Sequence, residues 1–173
     1  MNEHYGTLQG SVEYFDMQLH SEAWNDASPI DRRRALIQAT RLIDALNYKG
    51  VKHTVHQVLY VNGVKQNLTD EQLIVADRQQ PLEFPRGADT EVPQEIEWSC
   101  YEAAIELIEG FDPDEAMDQL NVIRQSYDAV RTTYAENSSS AEFIVYGIPT
   151  ARIWRWLKPR LTNDRMLRLE RVT

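Results

Sequence analysis

A chain of 173 residues is long enough for one domain with a buried core. Its 42% hydrophobic and 26% charged residues exclude a disordered or membrane-embedded chain. No run approaches the roughly 18 apolar residues of a membrane span, and the start MNEHYGTLQGSVEYF lacks the basic opening and apolar stretch of a signal peptide. These features point to an intracellular protein with no membrane partner. The single Cys100 has no internal disulfide partner, so packing or partners must hold the fold.

The net charge of −9 is unevenly spread. From Ala151 to Thr173, seven basic residues stand against two acidic ones, a balance of +5 that leaves −14 for the first 150 residues. Such a tail either meets a different surface from the one the body presents or pairs with an acidic body, its own or a neighbour's.

In chain order, Ser11 is placed to cap a first short helix that buries Phe15 and Leu19. Ser28, Pro29 and Asp31 form a stronger start for PIDRRRALIQATRLIDALN, whose stripe is Ile30, Leu36, Ala39, Leu42, Ile43 and Leu46, with Gly50 suited to the stop. Arg32, Arg33 and Arg34 point in three directions and read as a solvated face. Residues 51–66 change period, and Asn62-Gly63 predicts a type I′ hairpin turn. Thr69 and Gln72 match a capping box that opens a further short helix.

Pro81 and Pro85 stiffen QPLEFP into an extended strap that presses Leu82 and Phe84 onto the helices. Pro93 opens PQEIEWSCYEAAIELIEG, with Ile96, Cys100, Ala103, Ala104 and Leu107 as its buried stripe and Gly110 at its end. DPDE, with Asp112 and Glu115, starts another helix. Residues 126–136 favour an extended segment, with a continuing helix as the alternative, and NSSS at 137–140 reads as a loop. Pro149 opens a helix carrying Ile153, Trp156 and Leu157 that Pro159 limits. RMLRLERV then reads as an extended arm, which needs a neighbouring sheet or groove.

These elements predict a mainly α fold, a small helical bundle of about four to five helices with an inserted β-hairpin and an extended C-terminal arm. Residues 1–148 form the body, with 51–77 inserted, and residues 149–173 form a docking helix and basic arm.

Catalytic signals are weak. His53 and His56 in HTVH lack companion ligands for a metal, and no phosphate-binding glycine loop or nucleophile elbow is present. Asp112/Glu115 and Glu106/Glu109 have cap and solvated-face explanations. Cys100 lies on an apolar stripe and reads as structural. The expectation is a non-enzyme with no cofactor and no metal. Trp154 and Trp156, interleaved with Arg152, Arg155 and Lys158, form the one aromatic-basic arrangement suited to nucleic acid; Trp and Arg are equally the residues of protein interfaces, and Trp156 is equally suited to the core.

The succession YGTLQGSVEYFDMQ, DRRRALIQATRLIDALNYKG, QPLEFPR, VPQEIEWSCYEAAIELIEG and DPDE resembles small tailed-phage proteins often labelled as having a DnaT-like single-stranded-DNA-binding domain, over most of residues 5–115. Those proteins are similar to head-tail connector, adaptor or head-completion proteins. The resemblance implies a bacteriophage virion protein made in the host cytoplasm and placed at the head-tail interface. Its partners would be a portal ring, neighbouring copies in a twelve-fold homo-oligomer (a dodecamer), tail or nozzle proteins below, and double-stranded DNA passing through the channel. Under this reading Arg152, Trp154, Arg155, Trp156, Arg165, Arg168 and Arg171 dock on the portal, while Pro81, Leu82, Phe84, Pro85 and Pro93 form a strap that fixes the wedge shape repeated around the ring. The alternative is a single-stranded-DNA-binding or primosome-like replication accessory protein, with Trp154, Trp156, Arg152 and Arg155 tracking the strand.

Overall fold

The computed structural model describes residues 3–122 and 142–162. Helices α1 (Leu8–Asp16), α2 (Glu22–Asp26), α3 (Pro29–Asp44) and α4 (His53–Leu59) precede a hairpin of β1 (Tyr60–Val61) and β2 (Val64–Lys65). Then come α5 (Asp70–Arg78), α6 (Gln94–Ile108), α7 (Pro113–Val122), α8 (Glu142–Val145), α9 (Ala151–Leu157) and a 3-10 turn, Lys158–Arg160.

The expectation of a mainly helical fold with one small hairpin is met, but the count of about four to five helices is corrected to nine among the described residues. The excess is largely in short elements, α2, α4 and α8, of five, seven and four residues. Such helices complete too few turns for an apolar stripe to repeat. The expected extended arm lies outside the described residues, as do the segment 126–136 and the loop 137–140.

The core is built on α3 and α6, which pack along their lengths with α9 against α6. Leu36, Ala39, Ile43, Ile96, Cys100, Ala103 and Ala104 are fully enclosed, and each larger aliphatic side chain among them contributes about 1.5–3 kcal/mol by leaving water. Ser28 caps α3 through the Asp31 N–H, as its sequence predicts. Thr69 and Gln72 form the complete capping box of α5. Asp112 accepts from the Asp114 and Glu115 N–H groups at the start of α7.

Several expectations need correction. Thr7, not Ser11, caps α1, and Ser11 is buried one turn in, donating its hydroxyl to the Leu8 carbonyl at 2.6 Å. Leu19 falls beyond the end of α1 and Ile30 on the outer side of α3, so both are exposed. The residues before Asn62-Gly63 form α4 instead of a long strand, although the positive φ values of 52° and 77° are those the predicted turn requires. Pro93 is the cap of α6 rather than its first helical residue. Ala151, not Pro149, begins α9, and Thr150 caps it by accepting from the Ile153 N–H.

The strap fastens the amino-terminal segment to this core. Phe84 is buried edge-on against Tyr5 and Tyr48, with ring centroids 6.0 and 4.7 Å away, and its N–H donates to the Tyr5 hydroxyl at 3.1 Å. Leu82 packs partly buried on the same cluster. The Gln80 amide donates to the Leu82 and Pro85 carbonyls, and the Phe84–Pro85 peptide is cis. Beyond the strap, the Arg86 guanidinium reaches the carbonyls of Tyr48, Lys49 and Gly50 while pairing with Glu83. Isolated bridges Lys52 to Arg86 and Tyr48 to Leu161 complete this irregular corner.

Candidate nucleic-acid interface

Helix α9 divides its residues between two sides. At about 100° per residue, Ile153, Leu157 and Trp154 fall within one arc of the helix, and Arg155, Arg152 and Trp156 fall within the opposite one. The first set is buried and the second is partly or fully exposed. The outer set faces α6 and α1, and together they wall an open groove of about 450 Å³ lined by Tyr14, Gln18, Trp98, Arg152, Arg155 and Trp156.

Three aromatic rings follow one another along this groove. Trp98 meets Trp156 with centroids 6.0 Å apart and planes at 50°, and Tyr14 meets Trp98 at 6.2 Å and 34°. Both indoles remain partly exposed. Beneath them Glu102 accepts from the Tyr14 hydroxyl at 2.6 Å and from Arg152 at 2.7 Å, through the same oxygen Oε1. Burial, with the Glu102 carboxylate beside it, pushes the Tyr14 hydroxyl well above its ordinary range. The hydrogen bond to Glu102 likewise raises Arg152, so both groups keep their protons. Arg155 is exposed and makes no ion pair with the described residues.

The sequence-predicted site residues are only partly brought together. Arg152, Arg155 and Trp156 share the groove, but Trp154 does not: it is 6% exposed and stacks on Tyr146 at 5.1 Å. Arg165, Arg168 and Arg171 lie outside the described residues. Sequence reasoning missed Trp98 and Tyr14. Trp98 carried a usable signal, because it sits off the Ile96–Cys100–Ala103 stripe of its own helix, where a large aromatic must find another surface.

The other candidates resolve into structure. His53 and His56 lie on α4 at helical spacing, where the His53 Nδ1 is 3.0 Å from the Gly87 carbonyl oxygen and His56 stacks on Tyr60. Among the described residues no group of three or more His, Cys, Asp or Glu could hold a metal ion. Cys100 is fully buried near Thr40, and burial pushes its thiol up to about 12. Burial, then the neighbouring Glu109 and Glu102 carboxylates, raises Glu106 above the usual carboxylate range. Among the described residues no helix is long and apolar enough to cross a membrane.

No curated protein and no solved structure matches this chain. A family model does, over residues 75–172, under the description "Putative DnaT-like ssDNA binding protein". The match includes Trp98, Glu102, Arg152, Arg155 and Trp156, and more than half of the sequence. It corrects the reading as a bacteriophage virion protein and dodecameric head-tail connector around a DNA channel, because the family that matches is one of single-stranded-DNA binding. The family is consistent with a non-catalytic protein. The chain belongs to the DnaT-like single-stranded-DNA-binding family.

Proposed function

We propose that the groove between α1, α6 and α9 binds single-stranded DNA, with bases stacked on the exposed faces of Trp156 and Trp98 and a phosphate met by Arg155. The carrying observation is the contact between two partly exposed indoles, 6.0 Å apart, on a groove whose lining cations are Arg152 and Arg155. Aromatic faces of this kind accept any base, and base faces are free only where the duplex is open. The chain's charge of −9 repels DNA at long range, so stacking must supply most of the affinity. Such chemistry suits a primosome-like replication accessory protein that holds an exposed strand without reading its sequence.

Titration of a fluorescein-labelled oligothymidylate, followed by anisotropy, tests this. Base-aromatic stacking is worth about 1–3 kcal/mol per base. Trp156→Ala and Trp98→Ala should therefore each weaken binding by about tenfold or more, with Arg155→Ala weakening it further as salt falls. Wild-type affinity in both tryptophan variants would overturn the assignment.

A further inference from the structure

The role of Glu102 rests on the groove being a single-stranded-DNA site. Its carboxylate lies below the groove, with 11% of the side chain exposed against 54% for Arg152. One oxygen, Oε1, takes the Arg152 N–H at 2.7 Å and the Tyr14 O–H at 2.6 Å. A charge-assisted bond of this length is the one an arginine would make to a phosphate oxygen. Arg152 therefore reaches the groove with its charge already compensated from inside the protein, whereas Arg155 has no such partner among the described residues.

We propose that Glu102 is a built-in counter-ion that restrains DNA binding. It fixes Arg152 as part of the groove wall and withholds that cation from phosphate neutralisation, leaving Arg155 as the phosphate-binding cation of the groove. Counterion release distinguishes the two arginines. A cation that neutralises a phosphate of a single strand displaces a condensed counterion and steepens the dependence of log K on log salt by about 0.7. A cation paired with an internal carboxylate adds no net charge at the contact and releases none. Glu102 also repels any phosphate that approaches Arg152.

The test measures binding of the labelled oligothymidylate over a series of salt concentrations. Glu102→Gln keeps the shape and the acceptor oxygen for Tyr14 and Arg152 but removes the charge. It should bind more tightly than wild type at low salt, with a slope steeper by about 0.7. The double variant E102Q/R152Q, in which both charges of the pair are gone, should return to the wild-type slope. An unchanged slope in E102Q overturns the proposal. So does a steep slope that persists in the double variant, since the lost charge would then act on the whole molecule rather than through Arg152. Glu102→Ala frees the same cation and serves if E102Q does not fold; a wild-type slope there also overturns the proposal. Binding by E102Q but not by wild type would support both the site and the counter-ion; no binding by either would overturn both, whereas wild-type binding that survives in the tryptophan variants overturns the stacking site alone.

Discussion

Tyr146 stacks on Trp154 with ring centroids 5.1 Å apart and planes 17° from parallel, and the stacked indole lies among the core residues Ile153 and Leu157. Trp154 and Trp156, two residues apart, thus have opposite duties. Trp154→Ala should lower stability by about 3–5 kcal/mol, the cost of emptying a buried aromatic site. Trp156→Ala should cost about 1 kcal/mol in stability and show its main effect in DNA affinity. Chemical denaturation beside the oligothymidylate titration separates the two; equal stability losses would show that both indoles are core.

A buried acid makes stability depend on pH. Asp44 accepts from the Tyr5 hydroxyl and, at 3.4 Å, from the Glu83 N–H. Burial outweighs those bonds and raises its carboxyl from 3.8 to about 6. The folded state then holds a proton that the unfolded chain has released between these values, so this group's contribution to stability falls as pH rises from about 4 to 6 and is level above. With the solvent that Asp44 still touches, the change is on the order of 1–2 kcal/mol. Comparing unfolding of wild type and Asp44→Asn from pH 4 to 7 isolates it, because the exposed carboxylates are common to both. The difference between the two should change across this window; a constant difference would mean that Asp44 titrates normally.

Cys100 should be inert in the native protein. With no exposed surface and its thiol pushed up to about 12, it presents almost no thiolate near pH 8. Reaction with a thiol reagent should occur only after unfolding, at a rate set by global opening. Rapid labelling of native protein would show that α3 and α6 separate readily.

Gly6 has a φ of 68°, and a Cβ there would lie 2.1 Å from the Tyr101 hydroxyl oxygen, which itself accepts the Thr7 N–H at 3.1 Å. Gly6→Ala combines a left-handed backbone with a clash against a side chain held in place by that bond. Destabilisation of about 2 kcal/mol or more is expected in thermal or denaturant unfolding. A loss below about 0.5 kcal/mol would show that this segment moves aside freely.

The long helices were legible because their signals were redundant. α3 has a serine cap, a proline, a first-turn acid and repeated apolar spacing, all in agreement. α1 was only half legible, since Thr7 and Ser11 are both acceptable caps and burial in the folded protein decides between them. α4 misled because its β-branched residues, Thr54, Val55 and Val58, favour strands locally, while packing against α5 makes them helical. At the groove, Arg152, Arg155 and Trp156 could be read from one short helix. Their partners Trp98 and Tyr14 come from segments dozens of residues away, and nothing local to α9 names the helices that will meet it. Trp154 was misassigned because alternation with arginine outweighed the helical arc it shares with Ile153 and Leu157.

Arg86 carries a consequence for the corner between α3 and α4. Tyr48, Lys49 and Gly50 form no ladder with one another, yet all three of their carbonyls meet one guanidinium. A planar fork of fixed donors thus performs at this corner the service that a neighbouring strand performs in a sheet. A lysine, with a compact charge on a pliant stem, has no way to address three divergent carbonyls at once. The corner is therefore spelled by a residue 36 to 38 positions downstream of the backbone it organises.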